Sequence, residues 1–133
     1  MNDYTYVVET TKSFHEAVIA VRKAAEAHKW GILGDYDFSE ILAVKGFPQT
    51  EHVKSIDICA PAHANALMGA ERLVGLCMPC SILIFTEKGK TKIAAMRPGA
   101  VMPHIFPHVT EKVGDLLQRL DAEIQAILDA AAR

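Results

Sequence analysis

The chain has 133 residues, half of them apolar, and a formal net charge of −2 from 14 basic and 16 acidic residues. This length suffices for one hydrophobic core but is short for two domains. The charge balance argues against nucleic-acid binding, which needs a clustered excess of Lys and Arg. No stretch approaches the roughly 18 apolar residues of a membrane span, and the first twenty residues do not resemble a secretory signal. We therefore expect a single cytoplasmic domain over residues 1–133, with neither a nucleic-acid nor a membrane partner.

Apolar periodicity predicts alternating strands and helices along the chain. Alternation of β-branched and aromatic residues indicates strands, and recurrence every three or four residues indicates helices. The predicted strands cover residues 4–9, 30–36, 53–60, 81–86 and 91–96. The predicted helices cover residues 13–28, 39–44, 61–69 and 109–133, with a Pro-rich linker at 97–108 before the last one. In the second strand we expect Trp30, Ile32 and Tyr36 to share a face.

This order of elements predicts an α+β fold. It implies one domain with a mixed, mostly antiparallel sheet of about five strands, helices packed on one face, and a long C-terminal helix. The apolar stripe of that last helix is typical of a core-facing helix, and it could also form a seam with a second copy. An uncovered face or edge of the sheet could pair subunits as well.

The most specific local pattern is Cys77-Met78-Pro79-Cys80, a C-x-x-C pair accompanied by a third thiol at Cys59. Neighbouring thiols of this kind can carry out thiol–disulfide exchange. In thioredoxin-like sites, however, the pair precedes a helix whose N-terminus lowers the thiol pKa, whereas here a strand follows. The alternative is that the cysteines are small, buried, hydrophobic residues, and the sequence favours this alternative.

A metal site is a second interpretation of the same pair. A C-x-x-C knuckle supplies half of many structural zinc sites, and Cys77 and Cys80 would be that half. The other ligands could come from Cys59, His63, His104 or His108, of which we favour the last two. Pro107 prevents a regular helix from aligning the two imidazoles, although a loop could present them. Copper(I) or haem iron would also suit thiolates together with the thioethers of Met78, Met96 and Met102.

Residues 37–98 resemble the family called domain of unknown function 302. The resemblance rests on Cys59-Ala60-Pro61, Ala64, Leu67, Gly75, Met78-Pro79-Cys80, Gly89 and Met96-Arg97-Pro98. Two positions depart from the family pattern, since Ala60 stands where Asn is common and Arg97 where Asp is common. Both changes remove short side chains able to cap a helix. The resemblance implies a compact α+β domain that forms a homodimer, and it implies no established activity.

Three functional hypotheses follow. The favoured one is a homo-oligomeric binding module whose small-ligand or metal pocket is lined by Cys59, Pro61 and Cys80, because the family-like residues lie at the end of one strand and the start of another. The second is a thiol-dependent redox enzyme or sulfur carrier, with Cys80 as nucleophile and Cys77 resolving. The third is a purely structural assembly domain. No phosphate-binding loop, nucleophile elbow or H-E-x-x-H motif is present in the sequence.

Overall fold

The computed structural model describes residues 3–133. Its strands are β1 Thr5–Thr10, β2 Gly31–Asp37, β3 Val53–Cys59, β4 Cys80–Glu87 and β5 Lys90–Met96. Its α-helices are α1 Phe14–Ala27, α2 Phe38–Val44, α3 Pro61–Ala70, α4 Pro98–Ile105, α5 Pro107–Val113 and α6 Leu116–Ala132. A short 3-10 helix spans Arg72–Cys77. The expected single α+β domain with a long C-terminal helix is confirmed.

The five strands form one sheet in the order β1-β5-β4-β3-β2. Every neighbouring pair is antiparallel, so the sheet is more regular than the mixed one predicted. The two central pairings place Ile58 opposite Cys80 and Ile84 opposite Ile93. Because paired residues point to the same side of a sheet, these four side chains mark one face.

The hydrophobic core lies between that face and the helices. Ile58, Ile84 and Ile93 are fully buried there, and α1 and α6 pack against each other above the sheet. The apolar side of α6 belongs to this core: its buried residues are Leu116, Leu117, Leu120, Ile124, Ile127, Leu128 and Ala131. These residues of the stripe are therefore used within the chain.

A β-bulge changes the orientation of the second strand. Ile32 pairs with Ile58 and Gly34 pairs with Asp57, so β2 has one residue more than β3 over this interval. Tyr36 then pairs with Ser55, on the face opposite to Ile32. The prediction that Ile32 and Tyr36 share a face is wrong, because the extra residue reverses the alternation beyond the bulge.

The region predicted as a Pro-rich linker is helical. Pro98 and Pro107 each occupy the first turn of a helix, where the missing N–H has no intrahelical partner to lose. Gly114, with φ of 63°, ends α5, and α6 begins only at Leu116. The expected C-terminal helix over 109–133 is thus divided into α5 and α6, because glycine readily adopts a backbone that ends a helix.

Within residues 3–133, no helix has the length and apolar character required to cross a bilayer.

Candidate functional site

An apolar cavity lies against the covered face of the sheet, where β4 begins and β5 ends. Its volume is about 460 Å³. The 3-10 helix, α4 and α6 complete its walls. Its lining residues are Ile58, Leu67, Leu76, Cys77, Met78, Pro79, Cys80, Ser81, Ile82, Ala95, Met96, Pro98, Val101, Met102, Ile105, Leu120 and Ile124. None of these residues is charged, so the interior favours neutral, apolar groups.

Sulfur is the distinctive chemical feature of the cavity. Five of the seventeen lining residues carry it: Cys77, Met78, Cys80, Met96 and Met102. They come from the 3-10 helix, the loop before β4, and the elements β4, β5 and α4. Thioethers and thiols are polarizable and contact aromatic rings favourably, by about 0.3–1.5 kcal/mol. The site therefore combines an apolar wall with soft, adaptable contacts.

The register of the sheet places the Cys80 thiol in this site. Its pairing with Ile58 places it on the covered face of the sheet. Burial raises the pKa of the Cys80 thiol to about 11, and the nearby Cys59, Asp57 and Cys77 add to the rise. The thiol is therefore protonated at neutral pH, and the thiolate needed for nucleophilic attack is scarce.

Cys59 lies close to Cys80 but on the other face of the sheet. It follows Ile58 in β3, and successive strand residues point to opposite sides. A narrow cleft of about 10 Å³ contacts both cysteines, which is barely room for one water molecule. Pro61 is exposed at the start of α3, and neither it nor Cys59 lines the apolar cavity of about 460 Å³. Of the three predicted ligand-binding residues, only Cys80 lies in the cavity wall.

The predicted metal ligands lie in three separate places. Cys77, which is exposed, and Cys80 both line the cavity. His104 instead contacts the Tyr4 hydroxyl at 3.4 Å, and His108 contacts a Glu71 carboxylate oxygen at 2.9 Å. Among residues 3–133, no group of three or more His, Cys, Asp or Glu side chains is placed to hold a metal ion. The thioethers remain as additional soft donors around the cysteine pair.

One polar cluster beside the cavity was not predicted from the sequence. The carboxylate of Glu123 in α6 accepts a hydrogen bond from the indole N–H of Trp30 at 3.1 Å and contacts the His63 imidazole at 2.8 Å. It joins the end of α1, the first turn of α3 and α6. The sequence contains no spacing that relates these three residues, because they are 33 and 60 positions apart and meet only in the folded chain.

A second cluster anchors the α4 wall of the cavity. Asp121 of α6 is 3% exposed and accepts hydrogen bonds from the Gly99 backbone N–H at 3.0 Å, Gln125 at 2.6 Å and Arg97 at 3.3 Å. The side chain of Arg97 does not cap α4, as expected from its departure from the family pattern. Asp121 supplies the missing acceptor from a different helix.

Comparison with known proteins supports the resemblance seen in the sequence. The family model described as domain of unknown function DUF302 matches residues 6–131. A crystal structure of an uncharacterized conserved DUF302 protein from Bacillus stearothermophilus has a TM-score of 0.88 and 22% sequence identity, and the match covers 99% of this chain and 100% of that one. No curated protein matches the chain. Since the family model spans nearly the whole sequence, the chain belongs to the family of domain of unknown function DUF302.

Proposed function

We propose that the protein is a binding module that holds a small, neutral, predominantly apolar ligand in the sulfur-lined cavity. The observation that carries this proposal is an uncharged cavity of about 460 Å³ with five sulfur-bearing residues in its wall. Cavities that bind small molecules are mostly apolar and measure roughly 300–1,000 Å³. An aromatic or sulfur-containing ligand would gain the most from the thioethers.

The state of Cys80 favours binding over thiol chemistry. A redox or sulfur-transfer role requires a thiolate near neutral pH, whereas burial raises the pKa of Cys80 to about 11. As a neutral thiol, Cys80 instead offers the ligand a soft, weakly polar contact. The proposed role of this cysteine is therefore to contact the ligand.

A neutral fluorescent probe, N-phenyl-1-naphthylamine, tests the proposal by titration. Val101 lines the cavity from α4, and Val101→Trp should fill part of it and raise the dissociation constant at least about tenfold. The matched control is Ile19→Trp, since Ile19 is 54% exposed on α1, outside the cavity. This control should bind like the wild type. Equal probe affinity in Val101→Trp and the wild type, with both folded by circular dichroism, would reject the cavity as the site.

The contribution of the thiol is tested separately. Cys80→Ala should weaken probe binding by about two- to tenfold, the range expected for loss of a sulfur–aromatic contact. Cys59→Ala, on the opposite face of the sheet, should leave the affinity unchanged. If the two variants have the same affinity, Cys80 takes no part in binding.

A further inference from the structure

A second feature, remote from the cavity, is an exposed apolar surface on α2 and its flanking residues. None of the seven residues of α2 is buried, although Phe38, Ile41, Leu42 and Val44 are large and apolar. Val44 is 80% exposed, and Phe47 just beyond the helix is 65% exposed. A helix of two turns is marginal in water without packing, and an apolar cluster of this kind marks an interaction surface.

One side of α2 forms a shallow groove with a regular charge pattern. The groove contains Tyr36, Glu40, Ile41, Val44 and Lys45 together with the charged residues at the edge of the sheet. Within the groove, Glu40 precedes the apolar pair Ile41 and Val44, and Lys45 follows it. Glu40 and Lys45 are about 7.5 Å apart along the helix axis.

The charges of the groove differ in how they are satisfied within the chain. Asp35 is paired with Arg22 and Lys54, and Asp37 caps α2 by accepting the Glu40 backbone N–H at 3.0 Å. The side chains of Glu40 and Lys45, by contrast, form no ion pair with any residue in 3–133. One acidic and one basic group are thus available on either side of an apolar centre.

We propose that this surface binds the same surface of a second copy of the chain. In the proposed arrangement the two α2 helices lie antiparallel across a two-fold axis that passes between Ile41 and Val44. Glu40 of each copy then faces Lys45 of the other, and the two apolar pairs pack against each other. The helix dipoles are also antiparallel in this arrangement, which is favourable.

Charge complementarity identifies a second copy as the occupant. A two-fold interface brings a patch onto itself, so ion pairs can form across it only when both signs of charge lie on the patch, at equal distances from the axis. Glu40 and Lys45 meet this requirement. The groove contributes three exposed hydrophobic side chains to such an interface, Tyr36, Ile41 and Val44.

Other routes to self-association are less well supported. The apolar side of α6 is buried in the core. The outer edge of β2 carries a β-bulge at residues 32–34, a feature that disfavours edge-to-edge strand pairing. The α2 surface combines exposed apolar side chains with charges of both signs.

Charge reversal and its rescue test both the surface and the register. Analytical ultracentrifugation of the wild type should show a dimer. Glu40→Lys and Lys45→Glu should each weaken dimerisation about tenfold, because each places like charges together at two symmetric contacts. The double variant Glu40→Lys/Lys45→Glu should regain the wild-type association constant. Ile41→Glu should give a monomer, and Ile19→Glu, on another exposed apolar residue, should remain dimeric.

Each outcome decides the proposal. A monomeric wild type at 100 µM (about the upper range of such assays) would mean that a different protein, or none, covers this surface, and would overturn it. A dimer that survives Ile41→Glu would place the interface elsewhere. Failure of the double variant to recover would refute the antiparallel pairing. Since α2 lines no part of the cavity, all variants should keep wild-type affinity for the fluorescent probe, which separates this proposal from the one on ligand binding.

Discussion

Replacement of Asp121 by Ala is the most direct test of how the cavity wall is held in place. In the wild type this buried carboxylate accepts hydrogen bonds from the Gly99 backbone N–H, Gln125 and Arg97. The variant removes all three acceptor contacts at once. The N–H of Gly99 lies in the first turn of α4, where no intrahelical acceptor is available, so it is left without a partner inside the protein.

The expected cost follows from these contacts. A buried donor without an acceptor costs about 1–3 kcal/mol. Arg97 is 34% exposed, so water replaces much of its lost partner and the ion pair adds at most about 1 kcal/mol. We expect Asp121→Ala to lower the free energy of unfolding by about 2–4 kcal/mol, or Tm by roughly 10 °C for a chain of this size. Asp121→Asn keeps an acceptor for Gly99 and should lose about 1 kcal/mol.

Urea unfolding followed by circular dichroism measures these differences. The matched control is Asp115→Ala, because Asp115 also pairs with an arginine, Arg119 at 3.1 Å, but is 77% exposed. Its loss should cost less than about 1 kcal/mol. Equal destabilisation by Asp121→Ala and Asp115→Ala would refute the view that Asp121 anchors α4.

Two further predictions concern groups beside the cavity. Burial raises the pKa of the Cys80 thiol from 9.0 to about 11, so its neutral form contributes stability that is complete below about pH 9 and is lost as the pH rises through about 11. The free energy of unfolding of Cys80→Ala should therefore fall less between about pH 8 and pH 10.5 than that of the wild type. If urea unfolding gives the same decrease with pH for both proteins, the burial of the thiol is contradicted. Glu123→Ala leaves the buried Trp30 N–H unpaired and should cost about 1–3 kcal/mol, measured by urea unfolding through the fluorescence of this single tryptophan; a change below about 0.3 kcal/mol would show that the contact is replaced by water.

Local patterns were sufficient to predict most of the fold. The helix predicted over residues 13–28 begins with a capping box formed by Ser13 and Glu16. The order of strands and helices follows the apolar periodicity. The errors arose at a β-bulge and at prolines, where the backbone conformation differs from the one that apolar periodicity predicts. The bulge in β2 turns Tyr36 to the other face, and prolines that looked like linker residues open α4 and α5. Both depend on tertiary packing that a single sequence does not show.

The candidate site was predictable only in part. The family-like Cys80 lies in the cavity wall. Cys59 comes one residue after Ile58, the partner of Cys80, and therefore faces the other side of the sheet. Met96 and Met102 line the site because the end of β5 pairs with the start of β4 and α4 follows directly after β5. Glu123 and Asp121 could not be identified from sequence, because an acidic residue on an amphipathic helix is normally solvated. Nothing in the sequence marks the buried Asp121 or the half-buried Glu123 as an anchor.

The two acidic residues of α6, Asp121 and Glu123, bind the elements that surround the cavity. Asp121 accepts a hydrogen bond from the first turn of α4. Three other residues of α4, Val101, Met102 and Ile105, form part of the cavity wall. Glu123, two residues further along α6, holds Trp30 and His63 at the neighbouring cleft. The helix α6 therefore supplies apolar residues to the site and polar residues to the elements around it. These part-buried hydrogen bonds connect α6 to the elements around a cavity whose own lining is uncharged.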